Sequence, residues 1–313
     1  MLPPLFFWLG LMAAAREPLD YYIDWFPSPQ FAGVYVALDK GFYADAGLDV
    51  TIRPFAFGQK PAALMEAEPA VASIGTVEGY IFLQRRAAGQ DLHAFTAVLR
   101  ESPAGFMTLA NSGINGPRDF PGRKIGIHKY ADPLYKWFIA RAGVTEASAP
   151  FQFVGDDVSL LISGKLDVQQ GYAIEELVKV RREVGRKAVR FISFKDLGFD
   201  AYSQVVYATG TQLKAHEKAQ RAFIAATRRG WIYALAHPPE AVDAVCARLT
   251  PPLDRTLLAD MISSLGTFVY PPNETPLSRM SEAKWSRMEQ ACVEMGLVPK
   301  PEPPSDFLVE SKP

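Results

Sequence analysis

From Leu19 to about residue 210 the apolar positions come in short runs, separated by longer stretches with helical spacing. LDYYIDWF is one such run. QFAGVYVALDKGFYADAG after it reads as one helix that stops at Gly47, since glycine commonly ends helices. LDVTIRPF, AVASIG and HAFTAVLR read as further strands, with TVEGYIFLQRRAAG as a helix between the last two. Near ESPAGF, residues 101–106, the pattern restarts. GFMTLANS and RKIGI are strands, and ADPLYKWFIARAG is a helix with Asp132 as N-cap and Pro133 in its first turn. FQFVG, DDVSLLISG, LDVQQGY, AIEELVKVRREVG, VRFISF and AYSQVVYAT carry the alternation on. Residues 212–298 read as mostly helical, and the closing PKPEPPSDFLVESKP as a loosely ordered, proline-rich tail.

Strands interleaved with helices predict an α/β fold with mostly parallel sheets. Two such units joined by extended crossings near 101–108 and 200–208 predict two lobes facing a cleft. The expected division is 18–104 for the first part of lobe 1, 105–202 for lobe 2, and 203–313 for the return to lobe 1 with the tail. Ahead of them, the apolar run over residues 2–15 is shorter than the ~20 residues a membrane span needs. Its closing alanines before Arg16 read as a signal peptide, residues 1–15, cleaved near Ala15. No Lys or Arg precedes the run, which a misassigned start would explain. The expected location is the periplasm or another extracytoplasmic space.

Charge changes little in this picture. With 33 basic and 34 acidic residues, nothing points to nucleic acid or an acidic membrane surface. Cys246 and Cys292 have no metal or redox spacing and read as buried apolar residues, and the four histidines are scattered. There is no nucleophile elbow, P-loop, zinc-binding helix or dinucleotide fingerprint.

Ligands of open parallel sheets sit beyond the carboxyl ends of strands, at helix N-termini. The corners there are Asp24-Trp25-Phe26, Phe57-Gly58-Gln59, Gly75 to Glu78, His128-Lys129-Tyr130, Gly155-Asp156 and Gly171 to Glu175. Trp25 stands on a turn braced by Pro27 and Pro29, either as the wall of a cleft or as a plug for the core; its place at a strand end favours the wall. Glu78 is either a ligand contact or a helix cap, and Tyr130 either reaches the cleft or lies in a solvated loop. Tyr172 and one of Glu175 and Glu176 open a helix in the opposite lobe, and Tyr202 lies on the second crossing. The charge run 179–190 reads as a solvated helix face, and Lys60 as a surface lysine.

DWFPSPQFAGVYVALDKGFYADAGLDV, SGING-PRDFPGRKIGI, LISGKLDVQQGYAIEEL, RRGWIYALAHPPEAV and W-x6-C-x3-GLVPKP together resemble the SsuA-like and thiamine-pyrimidine-type substrate-binding family. The likeness runs in order over roughly residues 19–310 and is strongest to the binding proteins for a formylated aminopyrimidine. It implies a type II periplasmic-binding-protein fold, a monomer without cofactor, a small aromatic heterocycle as ligand and an ABC permease as partner. The site residues it implies are Asp24, Trp25, Phe57, Glu78, Tyr130, Tyr172, Glu175 and Tyr202. The same family includes pyrimidine synthases that consume pyridoxal phosphate and a histidine of their own chain. Those carry a Cys-Cys-Cys-Phe-Cys stretch where this chain has Phe199-Asp200-Ala201-Tyr202-Ser203, so the resemblance implies a binder rather than an enzyme. Riboflavin and an alkylsulfonate-type anion remain alternative ligands, the latter because of Lys60 and the His128-Lys129 pair.

Overall fold

The last four residues of β1 (Glu17–Tyr22) are buried, as in a strand covered by helices on both faces. β1 begins the part of the chain that the computed structural model describes, residues 15–310; the signal-peptide expectation, but for Ala15, lies outside the described residues. Helix α1 (Ala32–Asp39) and the short α2 (Phe42–Asp45) follow. They are two helices where one was expected, because Gly41 takes a left-handed φ of 72° and breaks the run six residues before Gly47 does the same. Next come β2 (Leu48–Arg53), α3 (Pro61–Ala67), β3 (Ala72–Val77), α4 (Gly79–Ala87) and β4 (Leu92–Leu99).

The second unit holds β5 (Ala104–Leu109), β6 (Ile125–Ile127), α5 (Asp132–Arg141), β7 (Phe151–Phe153), α6 (Ser159–Ile162), β8 (Val168–Tyr172), α7 (Glu176–Val184) and β9 (Val189–Ser193). Asp132 is the first residue of α5 rather than its cap, and the cap position falls to Ala131. The chain then returns through β10 (Ser203–Thr209) to α8 (Gly210–Ala236), α9 (Pro238–Cys246), α10 (Arg255–Val269) and α11 (Glu282–Glu294).

Two five-stranded sheets result, in the orders β2-β1-β3-β10-β4 and β7-β6-β8-β5-β9. Each has one antiparallel strand, β10 in the first and β5 in the second, and each is the strand that arrives from the other unit. The two orders are the same once strands are matched by position, so the lobes repeat one plan. The crossings are therefore 100–103 and 194–202, earlier than the sequence suggested, and the residues after them belong to sheets.

Helix α8 packs on α1 at a very close distance. A Cβ on Gly230 would lie 2.0 Å from the Gly33 carbonyl oxygen, and one on Gly33 would lie 2.3 Å from the Trp231 ring. Only glycine fits either place, and the fully buried Trp231 fills the space between. The tail, expected to be loose, is docked. Phe307 is fully buried against Phe82 and Trp285, and its carbonyl accepts from Ala94 N at 2.8 Å while Val309 N donates to Ala94 O at 2.9 Å. Cys292 is buried as expected, whereas Cys246 is only half-buried.

Candidate ligand-binding site

The carboxyl ends of β1 and β3 in one lobe and of β6 and β8 in the other meet across a seam. From β1 comes Asp24, whose Oδ1 accepts from Thr76 Oγ1 at 3.0 Å. Burial pushes its carboxyl above the usual range, against the hydrogen bond from Thr76. From β3 comes Glu78. It occupies the cap position of α4 but makes no cap; its Oε1 instead accepts from Ser203 Oγ at 2.7 Å. Burial raises its carboxyl to about 8, and the nearby Asp24 charge adds to this. Glu78 is therefore mostly neutral at pH 7, able to donate one hydrogen bond and accept another.

The opposite lobe supplies Tyr130, Tyr172 and Glu175. Tyr130 takes a 2.6 Å hydrogen bond with His128 Nδ1, and its carbonyl accepts from Tyr80 OH of the first lobe at 3.4 Å. Burial holds the Tyr130 and Tyr172 phenols well above their usual range, so both stay protonated donors. Glu175 and Glu176 take different roles. Glu176 is buried and accepts from Tyr172 N at 2.8 Å, which fixes the start of α7. Glu175 faces Ser28 of the first lobe, and burial, with the charge of Glu176, raises it to about 7. None of Asp24, Glu78 and Glu175 forms an ion pair among the described residues. Arg85 and Lys179 act on them only at a distance.

Aromatic rings close the mouth. Trp25 lies 6.3 Å from Tyr130, edge to face across the seam, and 5.6 Å from Phe55 on its own side. Phe26 and Phe57 extend this cluster outward, and Phe57 is 77% exposed, so it stands on the rim rather than inside. Tyr202 is not brought to the site. It is buried under Trp285, with Arg100 and Lys284 over its ring and its hydroxyl accepting from Ser281 N at 2.8 Å. The aromatic ring there pins the second crossing to α11, because a buried tyrosine needs a partner for its hydroxyl. Lys60 is exposed.

Three participants escaped the sequence reading, Ser28, Ser203 and Gln204, while Thr76 lay in a corner it named without being singled out. Gln204 is buried beside Asp24 with φ of 49°, a region that non-glycine residues rarely occupy. Its amide nitrogen faces the Asp24 carboxyl as a donor, and its amide oxygen has no hydrogen-bond partner among the described residues. The cavity lined by Glu78, Tyr130, Gln170 and Tyr172 measures about 10 Å³, room for a single water molecule. The two lobes thus meet closely at this point, with no ring-sized space between them.

The pattern of the NMT1/THI5-like family matches residues 28–241. A 4-amino-5-hydroxymethyl-2-methylpyrimidine phosphate synthase of Legionella pneumophila is 22% identical over 75% of this chain and 75% of its own. The formylaminopyrimidine-binding protein of Halalkalibacterium halodurans is 23% identical over 74% of this chain and 70% of its own. The periplasmic aliphatic sulphonate binding protein SsuA of Escherichia coli superimposes with a TM-score of 0.69 at 13% identity, covering 93% of this chain and 97% of that one. That superposition, with the repeated sheet order, makes the fold a two-lobed periplasmic-binding-protein fold. With its pattern matched over more than half of the length, the chain belongs to the NMT1/THI5-like family.

Proposed function

We propose that this protein is the extracytoplasmic substrate-binding component of an ABC importer, and that it captures an aminopyrimidine related to thiamine without turning it over. The observation that carries the reading is the half-buried pair Asp24 and Glu78, near one another without a paired cation beside the unpartnered amide oxygen of Gln204, with the half-buried Glu175 on the other lobe. Carboxyls drawn partly out of water without cations call for a ligand that brings N–H donors. A neutral carboxyl at Glu78 presents one donor and one acceptor side by side, the complement of a ring nitrogen next to an amino group. Trp25, Tyr130 and Tyr172 serve as the walls against which a flat ring packs, with Phe57 at the rim. An alkylsulfonate would meet acids where it needs cations.

The departure from the synthase branch also has physical content. Phe199 and Tyr202 are buried packing residues, and Asp200 pairs with Lys284 at 2.5 Å. These side chains hold the second crossing in place of the cysteine cluster. The lobes proposed as residues 18–104 with 203–313, and 105–202, open about the crossings to admit the ligand and close to present one surface to a permease.

A thermal-shift screen against aminopyrimidines, riboflavin, alkylsulfonates and nitrate tests the reading. A ligand at 100 times its Kd should stabilise by about 2.7 kcal/mol. Trp25→Ala should weaken aminopyrimidine binding about tenfold or more while the unliganded protein keeps most of its stability, since Trp25 is only half-buried. Stabilisation by sulfonate alone, or an altered histidine in the protein's mass spectrum after incubation with pyridoxal phosphate, iron and oxygen, would sink the proposal.

A further inference from the structure

The charge run 179–190 is exposed at Arg182, Glu183, Arg186 and Lys187, as the sequence suggested, yet part of it also bridges the lobes. Arg182 on α7 reaches into the other lobe, where its Nη1 donates to Asp260 Oδ2 and its Nη2 to Thr256 Oγ1, both at 2.8 Å. Ser264 Oγ on α10 donates back to the Ala173 carbonyl at 3.0 Å. Along this seam runs a groove of about 790 Å³, which meets the small cavity beside Glu78 at Ser102 but takes none of the three carboxyls into its lining. That volume is in the range of pockets that hold small molecules. Leu177, Val178, Phe191 and Phe268 give it an apolar floor, and Ser263 and Thr267 give it hydroxyls from the first lobe.

Its charges are unevenly matched. Arg182 pairs with Asp260 and Lys195 with Glu101, while Asp196 lies on the rim. Arg181 and Arg186, by contrast, have no ion-pair partner among the described residues. The Nε of Arg181 is shut away from solvent with no acceptor. Burial, together with repulsion from Arg186, lowers the Arg181 guanidinium from its ordinary value. A donor removed from water without an acceptor is costly, and a second cation beside it adds to the cost. One anion between them would relieve both.

We propose that this groove is a second ligand site, taking a small molecule that joins a dianionic oxyanion group to an apolar ring. The two guanidiniums and the hydroxyls receive the oxyanion, and the floor receives the ring. A phosphate monoester, with a charge of about −1.5 to −2 at neutral pH, has the right chemistry. Because α7 and α10 belong to different lobes, the occupant ties them together. The site stands independently of what the central cleft binds.

Calorimetry at constant ionic strength with phenyl phosphate and with inorganic phosphate tests this. Phenyl phosphate is expected to bind about tenfold more tightly than inorganic phosphate, through its ring. Arg181→Met should weaken it about tenfold or more, yet melt no lower than the wild type without ligand, since it removes an enclosed Nε that has no acceptor. Arg186→Gln, on an exposed turn, gives the same loss of affinity should the first variant not fold. Glu78→Gln should leave phenyl phosphate binding unchanged. No binding at millimolar phenyl phosphate, binding undiminished by either arginine substitution, or loss on Glu78→Gln would overturn the proposal.

Discussion

Gly230→Ala should remove at least about 3 kcal/mol of stability, beyond the ~1–3 kcal/mol typical of one methyl forced into a packed core. Its added carbon would sit 2.0 Å from the Gly33 carbonyl oxygen and 2.8 Å from Ala37 Cβ, and neither can turn away as a flexible side-chain tip can. Relief requires α8 to lift off α1, which would open the space that Trp231 fills. Gly47→Ala makes a useful contrast: its φ is +76° but nothing lies within 4 Å of the new carbon, so the cost is limited to backbone strain of ~1–2 kcal/mol. Urea midpoints of the two variants separate the effects. A Gly230→Ala protein within about 1 kcal/mol of the wild type would refute the close-packing account.

Stability should fall as pH rises from 5 to 8, the reverse of the usual carboxylate behaviour. Glu78 has a folded-state value of about 8 against an ordinary 4.5, so between those values the folded protein holds a proton that the unfolded chain has released. Rising pH therefore draws the equilibrium toward the unfolded state, and the loss is complete once pH passes the folded value. For a carboxyl shifted this far, with part of its surface still open to solvent, the effect is on the order of 3–5 kcal/mol. Glu175, raised to about 7, adds to it over the lower part of the range. Glu78→Gln keeps an acceptor for Ser203 and removes the titration, so it should be more stable than the wild type at pH 8 and little different at pH 5. Equal denaturation midpoints for the wild type at both pH values would show that Glu78 ionises freely in the fold.

The alternation of strands and helices was legible because each element carries its own periodicity and its own stop signal. What it did not reveal is pairing between distant segments. Gly33 and Gly230 look like ordinary helix residues until two helices from opposite ends of the lobe meet. Phe307 sits among prolines that speak for a loose tail, yet its burial depends on Phe82 and Trp285. Asp24, Trp25, Glu78, Tyr130, Tyr172 and Glu175 could be placed at corners along the lobe seam because strand ends followed by helix starts are visible along the chain. Gln204 could not, since a glutamine inside an apolar strand run carries no sign of the positive φ that turns it beside Asp24. Tyr202 was misread for a related reason: a crossing residue can face either side, and the partner that decides, Trp285, lies on a helix far along the chain.

The docked tail bears on synthesis. The second lobe, β5 to β9, is one unbroken stretch and can form as soon as it leaves the ribosome. The first lobe cannot, for its sheet waits for β10, and β4 waits further for the backbone of Phe307 and Val309. The lobe that begins the fold is thus the last to be finished. Until then β4 has an unpaired edge and the pocket around Phe82 and Trp285 stays open, a long interval in which a nascent chain can be held unfolded or captured by another strand.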